Sequence, residues 1–119
     1  MKLLLLEDEI VLGQTFCQLL EILGHEIIWI QTRRDLETAI EKGELTSIEL
    51  GIFDFYLPDG DFRDVYGLLE QHALISKMRV IVCSATSVDE DIEYIHSKSL
   101  DFLPKPFSTE ALMSMIEVA

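Results

Sequence analysis

Residues 50–60, Leu-Gly-Ile-Phe-Asp-Phe-Tyr-Leu-Pro-Asp-Gly, decide how this chain folds. The first four residues are uncharged and mostly bulky, which is typical of a buried parallel strand. Asp54 stands where this strand should end, and Pro58-Asp59-Gly60 is a turn sequence. Open α/β sheets place their active crevice at the carboxyl ends of such strands. Asp54 therefore either lines a crevice or simply caps the loop that follows it.

Length and composition indicate one compact domain. The chain has 119 residues, 49 % of them hydrophobic, which is enough to bury a core without metal or disulfide support. The formal net charge of −13 argues against direct binding to nucleic acid or to an anionic membrane. No apolar run approaches the roughly 20 residues of a membrane span. We expect a cytoplasmic protein in which Cys17 and Cys83 are reduced and packed.

Apolar patterns along the rest of the chain alternate between strand and helix. Further strands are predicted at residues 2–6, 26–30, 79–83 and 100–103. Each strand is followed by apolar residues at helical spacing: Leu12, Phe16, Leu19, Leu20 and Leu23; Leu36, Ala39 and Ile40; Phe62, Val65, Leu69 and Ala73; Ile92 and Ile95; Leu112, Met115 and Ile116. Five strand–helix units with short connections predict a parallel sheet covered by helices on both faces.

Local signals predict where several helices begin and end. Gly24 and Gly43 are suited to end the first and second helices. Thr32, with an acid three residues later, predicts the start of the second helix, and the stretch 87–90, Ser-Val-Asp-Glu, predicts a capping box for the fourth. The fourth helix has the fewest apolar residues, so we expect it to be the most loosely held.

Five polar residues fall at the carboxyl ends of the predicted strands: Glu7, Asp8, Asp54, Ser84 and Lys105. Each alone could be a cap, a turn residue or a solvated charge. Together they would form a crowded acidic cleft, and oxygen ligands without His or Cys favour Mg²⁺, Mn²⁺ or Ca²⁺ over zinc. A metal, a lysine and a hydroxyl around one ionised aspartate suit transfer of a phosphoryl group to that aspartate.

These five polar residues lie within four longer sequence motifs. They are Leu-Leu-Glu7-Asp8-Glu, Ile-Phe-Asp54-x-x-Leu-Pro-Asp-Gly, Val-Ile-Val-Cys-Ser84-Ala and Asp-Phe102-Leu-Pro-Lys105-Pro106-Phe. With these motifs the chain resembles, over its whole length, the receiver domains of bacterial two-component response regulators. The resemblance implies a flavodoxin-like, three-layer (βα)5 doubly wound parallel sheet with strand order 2-1-3-4-5. It also implies that residues 1–119 form a receiver domain, and an output domain could follow beyond residue 119.

The resemblance also implies a mechanism. Asp54 accepts a phosphoryl group from a sensor histidine kinase, a phosphotransfer protein or a small phosphodonor. Glu7, Asp8, Asp54 and the backbone carbonyl of Tyr56 hold Mg²⁺, for which Mn²⁺ or Ca²⁺ can substitute. In that scheme Ser84 binds a phosphoryl oxygen and Lys105 pairs with the phosphoryl group.

The family also implies a switch and an output surface. Phe102 takes the place of the aromatic switch residue and would turn inward when Ser84 moves toward the phosphate; alternatively, it is a core aromatic in both states. The Lys105–Pro106 peptide bond is expected to be cis. The fourth helix, fifth strand and fifth helix would relay the signal and could form a homodimer.

The chain departs from the family pattern before the fifth strand and at the rim of the cleft, and Ser84 takes the place of a threonine. Ser99-Leu100 stands where many members have Gly-Ala, so the turn before the fifth strand could have a different backbone. Tyr56, two residues after Asp54, is bulky for the rim of a cleft. We hypothesise that it shields the acyl phosphate from water, the alternative being a ring that lies flat on the surface.

Two other functions compete with the phosphorylated switch. A phosphohydrolase with an Asp nucleophile and Mg²⁺ would need a second acid two residues after the nucleophile, where this chain has Tyr56. A receiver-like module that only binds partners would not need Asp8, Asp54, Ser84 and Lys105 all present. The predicted function is therefore that of a regulatory phosphoacceptor domain, not of an enzyme acting on other substrates.

Overall fold

The structure is a computed structural model that describes residues 1–117. Strands and helices alternate along the chain, as the apolar pattern predicts. The strands of the main sheet are β1 (Lys2–Leu6), β2 (Glu26–Ile30), β3 (Leu50–Asp54), β4 (Arg79–Ser84) and β5 (Asp101–Pro104). The helices are α1 (Ile10–Ile22), α2 (Arg33–Glu41), α3 (Phe62–Gln71), α4 (Asp89–Ser97) and α5 (Thr109–Glu117). A short antiparallel ribbon pairs Tyr56–Leu57 with Gly60–Asp61, and a single 3-10 turn covers Ile75–Lys77.

The five main strands form one parallel sheet in the order β2-β1-β3-β4-β5. The predicted doubly wound, flavodoxin-like fold is therefore confirmed. Alternate residues of β1 show why the sheet needs helices on both faces. Leu4 and Leu6 pack in a core with residues of α2, α3 and α4, whereas Leu3 and Leu5 pack in a second core with residues of α1 and α5. All four of these leucines are fully buried.

The strand register brings the ends of the central strands to one edge of the sheet. Leu6 at the end of β1 pairs with Phe53, and Asp54 pairs with Cys83 in β4. Ser84 in turn pairs with Pro104 at the end of β5. Since all these pairs are parallel, the residues that follow each strand meet at this edge.

Most of the predicted helix ends are confirmed. The Thr32 hydroxyl accepts a hydrogen bond from the Asp35 backbone N–H at 3.0 Å, as the capping signal predicts. Gly24 and Gly43 follow the ends of α1 and α2 with φ values of +90° and +69°. Leu23, predicted to lie on the buried stripe of α1, is exposed at the helix end.

Two other predictions about helices are wrong. α4 begins one residue later than the capping box implies, and its N-cap is Val88, which has no side-chain cap. Thr86, not Ser87, provides the local hydroxyl, because its Oγ1 accepts the Val88 N–H at 3.2 Å. Ala73, predicted to lie on the apolar stripe of α3, follows the end of that helix, is exposed and has φ of +57°.

α4 buries few apolar side chains. Ile95 is fully buried, and Asp91 is the other buried residue of this helix. Tyr94 adds edge-to-face ring contacts with Phe62 and Tyr66 of α3, at centroid distances of 6.4 and 6.2 Å. The thin apolar stripe is thus confirmed, and aromatic and polar contacts supplement it.

The turn before β5 keeps a conformation that glycine would suit, although its residue is serine. Ser99 has φ of +57°, in the left-handed region. Its N–H donates to the His96 carbonyl oxygen at 3.0 Å, and the Leu100 N–H donates to the Ile95 carbonyl oxygen at 3.3 Å. The Ser-Leu departure therefore leaves a left-handed turn at this point.

The remaining expectations concern thiols and membrane spans. Cys17 and Cys83 are both free, and burial raises the pKa of the Cys83 thiol to about 12. No helix within residues 1–117 has the length and apolarity that crossing a bilayer would require.

Substitutions at Gly67 and Gly43 test the helix boundaries, because Gly67 has a helical backbone and Gly43 a left-handed one. A methyl group added at Gly67 in α3 or at Gly43 after α2 would meet no atom within 4 Å. Gly67 lies inside a helix, where alanine is favoured by about 1 kcal/mol, so Gly67→Ala should raise the free energy of unfolding by about that amount. Gly43→Ala should lower it by about 1 kcal/mol, because φ is +69° there. Urea denaturation of both variants measures the difference, and effects of equal sign would contradict these boundaries.

Candidate functional site

Asp54 is the last residue of β3, the middle strand of the sheet. Its side chain is 13 % exposed, so it is accessible from the strand edge although its strand is buried. The backbone is held on both sides, by β1 and by β4. After Asp54 the chain enters the short ribbon, and the Phe62 N–H donates to the Phe55 carbonyl oxygen at 2.7 Å. The strand ladder and this ribbon fix the position of the carboxylate.

Two further acids lie beside Asp54. Glu7, Asp8 and Asp54 each offer a carboxylate oxygen, and these atoms lie within 4.8 Å of one another. Glu7 is only 2 % exposed, whereas Asp8 is exposed. A close set of carboxylate oxygens without nitrogen or sulfur ligands suits a hard divalent cation such as Mg²⁺. The residues present therefore fit the predicted metal.

Lys105 provides the positive charge of the site. Its Nζ lies 2.7 Å from Glu7 Oε1 and 3.4 Å from Asp54 Oδ2. The Lys105 N–H also donates to the Ser84 carbonyl oxygen at 2.8 Å, which ties the loop after β5 to the end of β4. The Lys105–Pro106 peptide bond is cis. The sequence interpretation assigned Lys105 to the phosphoryl group, and in this structure its shortest ion pair is with Glu7.

Both oxygens of Glu7 have partners, so this acid is held firmly. Oε1 pairs with Lys105, and Oε2 accepts the Glu9 N–H at 3.2 Å. The backbone of Glu7 is held as well, because its carbonyl oxygen accepts the Trp29 indole N–H at 2.9 Å. Its N–H donates to the Ile30 carbonyl oxygen at 3.1 Å. Glu7 thus anchors Lys105 at the edge of the cleft.

Burial dominates the electrostatics of this cluster. It raises the pKa of the Asp54 carboxyl group, and the charge of Asp8 raises it further, against the opposing effect of Lys105. Burial likewise raises the pKa of Glu7. Burial alone would lower the pKa of Lys105, but its hydrogen bond with Glu7 and the charge of Asp54 outweigh that effect and raise it. The site therefore concentrates negative charge that a cation would stabilise.

Ser84 and Tyr56 line the same open cleft of about 520 Å³ as Asp54 and Lys105. Ser84 is 1 % exposed, and its Oγ accepts the Thr86 N–H at 3.2 Å. Tyr56 is 48 % exposed and packs edge-on against the Phe55 ring, at a centroid distance of 5.0 Å. The structure therefore brings Asp54, Ser84, Lys105 and Tyr56 to one cleft, with Glu7 and Asp8 beside it.

Phe102 lies apart from this cleft. It is the second residue of β5, pairs with Val82 in β4 and is partly buried against the core shared with α2, α3 and α4. Its neighbour Leu103 packs in the opposite core. The ring is accordingly neither fully exposed nor fully enclosed.

The sequence interpretation missed Asp91, which is 3 % exposed although it lies in the first turn of α4. Asp91 Oδ2 accepts the hydroxyl groups of Tyr56 and, at 2.9 Å, Thr86. Asp91 Oδ1 accepts Arg63 Nη2 at 2.9 Å. One signal was available: Asp91 stands four residues before Ile95 and so shares its helix face.

Arg63 is the second residue that the sequence interpretation missed. Its guanidinium lies 5.2 Å from the ring centroids of both Phe55 and Tyr94. It also pairs with Asp61 at 3.1 Å. Arg63 therefore connects the ribbon after Asp54 with α4.

Comparison with known proteins agrees with this architecture. The sequence profile of the response regulator receiver domain matches residues 3–117. The swarming motility regulation protein RssB of Serratia marcescens is 30 % identical over 118 residues, which are 98 % of this chain and 52 % of RssB. The phosphate regulon transcriptional regulatory protein PhoB of Klebsiella pneumoniae is 25 % identical, over 98 % of this chain and 50 % of PhoB.

Comparison with a solved structure also shows similarity to a receiver domain. The crystal structure of a signal receiver domain from Vibrio parahaemolyticus superimposes with a TM-score of 0.81 at 27 % identity, covering 97 % of this chain and 85 % of that one. The chain spans about half the length of the two curated relatives. Receiver domains are regulatory phosphoacceptor domains. The chain belongs to the response regulator receiver domain family of two-component signal transduction.

Proposed function

We propose that this protein is a signalling switch that is set by a phosphoryl group on Asp54. The donor is the phosphohistidine of a sensor histidine kinase or phosphotransfer protein, or a small phosphodonor. With a phosphohistidine donor, an oxygen of the Asp54 carboxylate forms a bond to phosphorus while the phosphorus–nitrogen bond breaks, and the released imidazole takes up a proton. With an acyl phosphate donor, the phosphorus–oxygen bond to the acyl group breaks and a carboxylate leaves. The observation that carries the proposal is an accessible Asp54 at the end of the central strand, beside Lys105 and two further acids.

The acids would hold Mg²⁺ together with the backbone carbonyl of Tyr56. Glu7, Asp8 and Asp54 supply the carboxylate oxygens. When bound, Mg²⁺, or Mn²⁺ or Ca²⁺ in its place, neutralises the charge of the phosphoryl oxygens. Glu7 has both oxygens engaged with Lys105 and the Glu9 N–H, so its part would be through water or after Lys105 moves.

Lys105 and Ser84 would respond to the new charge. A phosphoryl group adds about −1.5 to −2 charges and strong acceptor oxygens. Lys105, 3.4 Å from Asp54 Oδ2, pairs with these oxygens, and Ser84 donates its hydroxyl to one of them. Movement of Ser84 then draws Phe102 inward, and the surface of α4, β5 and α5 relays the change to an output domain, a partner or a second copy of the chain.

The same proposal implies where the domain acts and which kinds of partner it contacts. We assign residues 1–119 to a receiver domain that acts in the cytoplasm, where it meets the cytoplasmic domain of a sensor kinase. With a net charge of −13, this domain itself would not contact nucleic acid or a membrane surface. Its signal passes through protein–protein contacts.

Phosphorylation can be tested directly with acetyl phosphate and Mg²⁺. Intact-mass spectrometry should detect the addition of one phosphoryl group to the wild type and none to Asp54→Asn, because only that side chain carries the nucleophilic oxygen. Asp89→Asn is a matched control: Asp89 is an exposed acid in the first turn of α4 and should leave the labelling unchanged. Equal labelling of Asp54→Asn would refute the assignment. Steady turnover of p-nitrophenyl phosphate would instead indicate a phosphohydrolase.

Mg²⁺ binding should appear as stabilisation of the folded chain. At about 100 times its Kd, Mg²⁺ should raise the free energy of unfolding by about 2.7 kcal/mol. Asp8→Asn should lose most of this increase, because a carboxylate that would bind the ion directly is gone, whereas Asp89→Asn should retain it. Urea denaturation with Mg²⁺ or with EDTA provides the comparison. A wild type with the same midpoint in both would rule out the metal site.

The raised pKa of Asp54 predicts a pH-dependent stability difference without metal. Because the folded-state pKa is above its ordinary value, the contribution of this group to stability is complete below the unfolded pKa of about 3.9 and is lost as pH rises through the folded pKa. Asp54→Asn has no carboxyl group to ionise at this position, so it does not lose this stability as pH rises. In EDTA it should therefore unfold at higher urea than the wild type at pH 7.5, with the difference shrinking toward pH 4. A less stable variant at pH 7.5 would contradict the direction of the shift.

A further inference from the structure

The cleft around Asp54 has two walls that belong to different parts of the chain. One wall is Tyr56, in the ribbon that follows β3. The other is the segment 84–88, which begins at the last residue of β4 and includes Thr86. No backbone ladder joins these walls, because Tyr56 pairs with Asp61 and not with β4. Their separation therefore depends on side-chain contacts.

Asp91 supplies a contact with both walls through a single oxygen. Its Oδ2 accepts the Tyr56 hydroxyl from one wall and the Thr86 hydroxyl, at 2.9 Å, from the other. Hydrogen bonds to a charged carboxylate are among the stronger ones in proteins. The carboxylate is held in turn by Arg63 at 2.9 Å on its other oxygen. Asp91 is thus oriented by α3 while it bridges the cleft.

Each bond of Asp91 restricts a group that would otherwise move. Tyr56 is 48 % exposed, so a ring without the hydroxyl bond would sample other rotamers. The Thr86 N–H donates to Ser84 Oγ, and Thr86 Oγ1 accepts the Val88 N–H, both at 3.2 Å. Fixing Thr86 therefore also fixes the loop that leads from the Ser84 hydroxyl to the start of α4.

We propose that Asp91 is a positioning residue that holds the two walls of the Asp54 cleft together and so limits the access of water and phosphodonor to Asp54. The inference rests on the proposed function, since it concerns the lifetime of the phosphoryl group on Asp54. When the phosphoryl group is lost from Asp54, a water oxygen bonds to phosphorus as the phosphorus–Oδ bond breaks. The products are the Asp54 carboxylate, hydrogen phosphate and one proton. Asp91 does not touch the reacting atoms; it acts through Tyr56 and Thr86.

The test measures how fast the phosphoryl group is lost from protein labelled with acetyl phosphate and Mg²⁺ and then freed of the donor. Asp91→Ala and Tyr56→Phe should each lose it on the order of tenfold faster, because each removes a charge-assisted hydrogen bond that holds a wall. Tyr56→Phe keeps the ring and the backbone carbonyl, so it remains informative if Asp91→Ala does not fold. Asp89→Asn, an exposed acid of the same helix, should match the wild type.

A double variant separates positioning from general damage to the fold. Since Asp91→Ala already frees the Tyr56 ring, Tyr56→Phe combined with Asp91→Ala should lose the group no faster than Asp91→Ala alone. Independent effects would multiply to about a hundredfold and would overturn the inference. An opened cleft should also speed labelling by acetyl phosphate, whereas a damaged site would slow it.

The failure of this inference is distinct from the failure of the proposed function. A wild type that takes up no phosphoryl group would overturn both. A wild type that is labelled on Asp54, with unchanged loss rates in Tyr56→Phe and Asp91→Ala, would overturn only the role of Asp91.

Discussion

The ammonium group of Lys105 faces one buried and one partly buried carboxylate, and the rest of the site depends on this arrangement. It lies 2.7 Å from Glu7 and 3.4 Å from Asp54, with the exposed Asp8 close by. One positive charge cannot balance three acids at this strand edge, and burial raises the pKa of both Asp54 and Glu7. The cleft is therefore left with excess negative charge, which a divalent cation can offset. The parallel sheet keeps this unfavourable cluster in place, because its cores on both faces fix β1, β3 and β4.

The charge balance around Lys105 also explains how phosphorylation of Asp54 could alter the surface at α4. Lys105 is tied to the end of β4 by the bond from its N–H to the Ser84 carbonyl oxygen, and it is followed by the cis peptide bond to Pro106. Ser84 leads through Thr86 to α4, a helix with one fully buried apolar anchor. A phosphoryl group that draws on Lys105 and Ser84 would thus act on α4, which has the fewest buried apolar side chains among the five helices within residues 1–117. Asp91, in contact with Tyr56 and Thr86, lies on this path.

Most of the fold and much of the site could be predicted from the sequence for a simple physical reason. Parallel strands end at one edge, so the residues after each apolar run had to converge, and Glu7, Asp54, Ser84 and Lys105 do. Helix ends were predictable where one residue decides them, as with Thr32 and Gly43. The capping box predicted at Ser87 was wrong because two neighbouring residues, Thr86 and Ser87, carry hydroxyl groups at the start of α4. The Thr86 hydroxyl, not that of Ser87, accepts the hydrogen bond from the Val88 N–H. Asp91 was hard to predict, because its spacing from Ile95 was a weak signal and acids in a first helical turn are usually solvated. Its burial depends on Arg63 and Tyr56, which are 28 and 35 residues away.

The most direct test of the central claim is a crystal structure of the protein with Mg²⁺ and beryllofluoride, which mimics a phosphoryl group. If Asp54 is the phosphoacceptor, beryllium should be bonded to an Asp54 oxygen, Mg²⁺ should be held by the carboxylate cluster, and Lys105 Nζ should have moved from Glu7 toward a fluorine. Beryllofluoride absent from Asp54 under saturating conditions, or bound there with Lys105 still paired to Glu7 and no metal beside it, would show that Asp54 is not a metal-assisted phosphoacceptor.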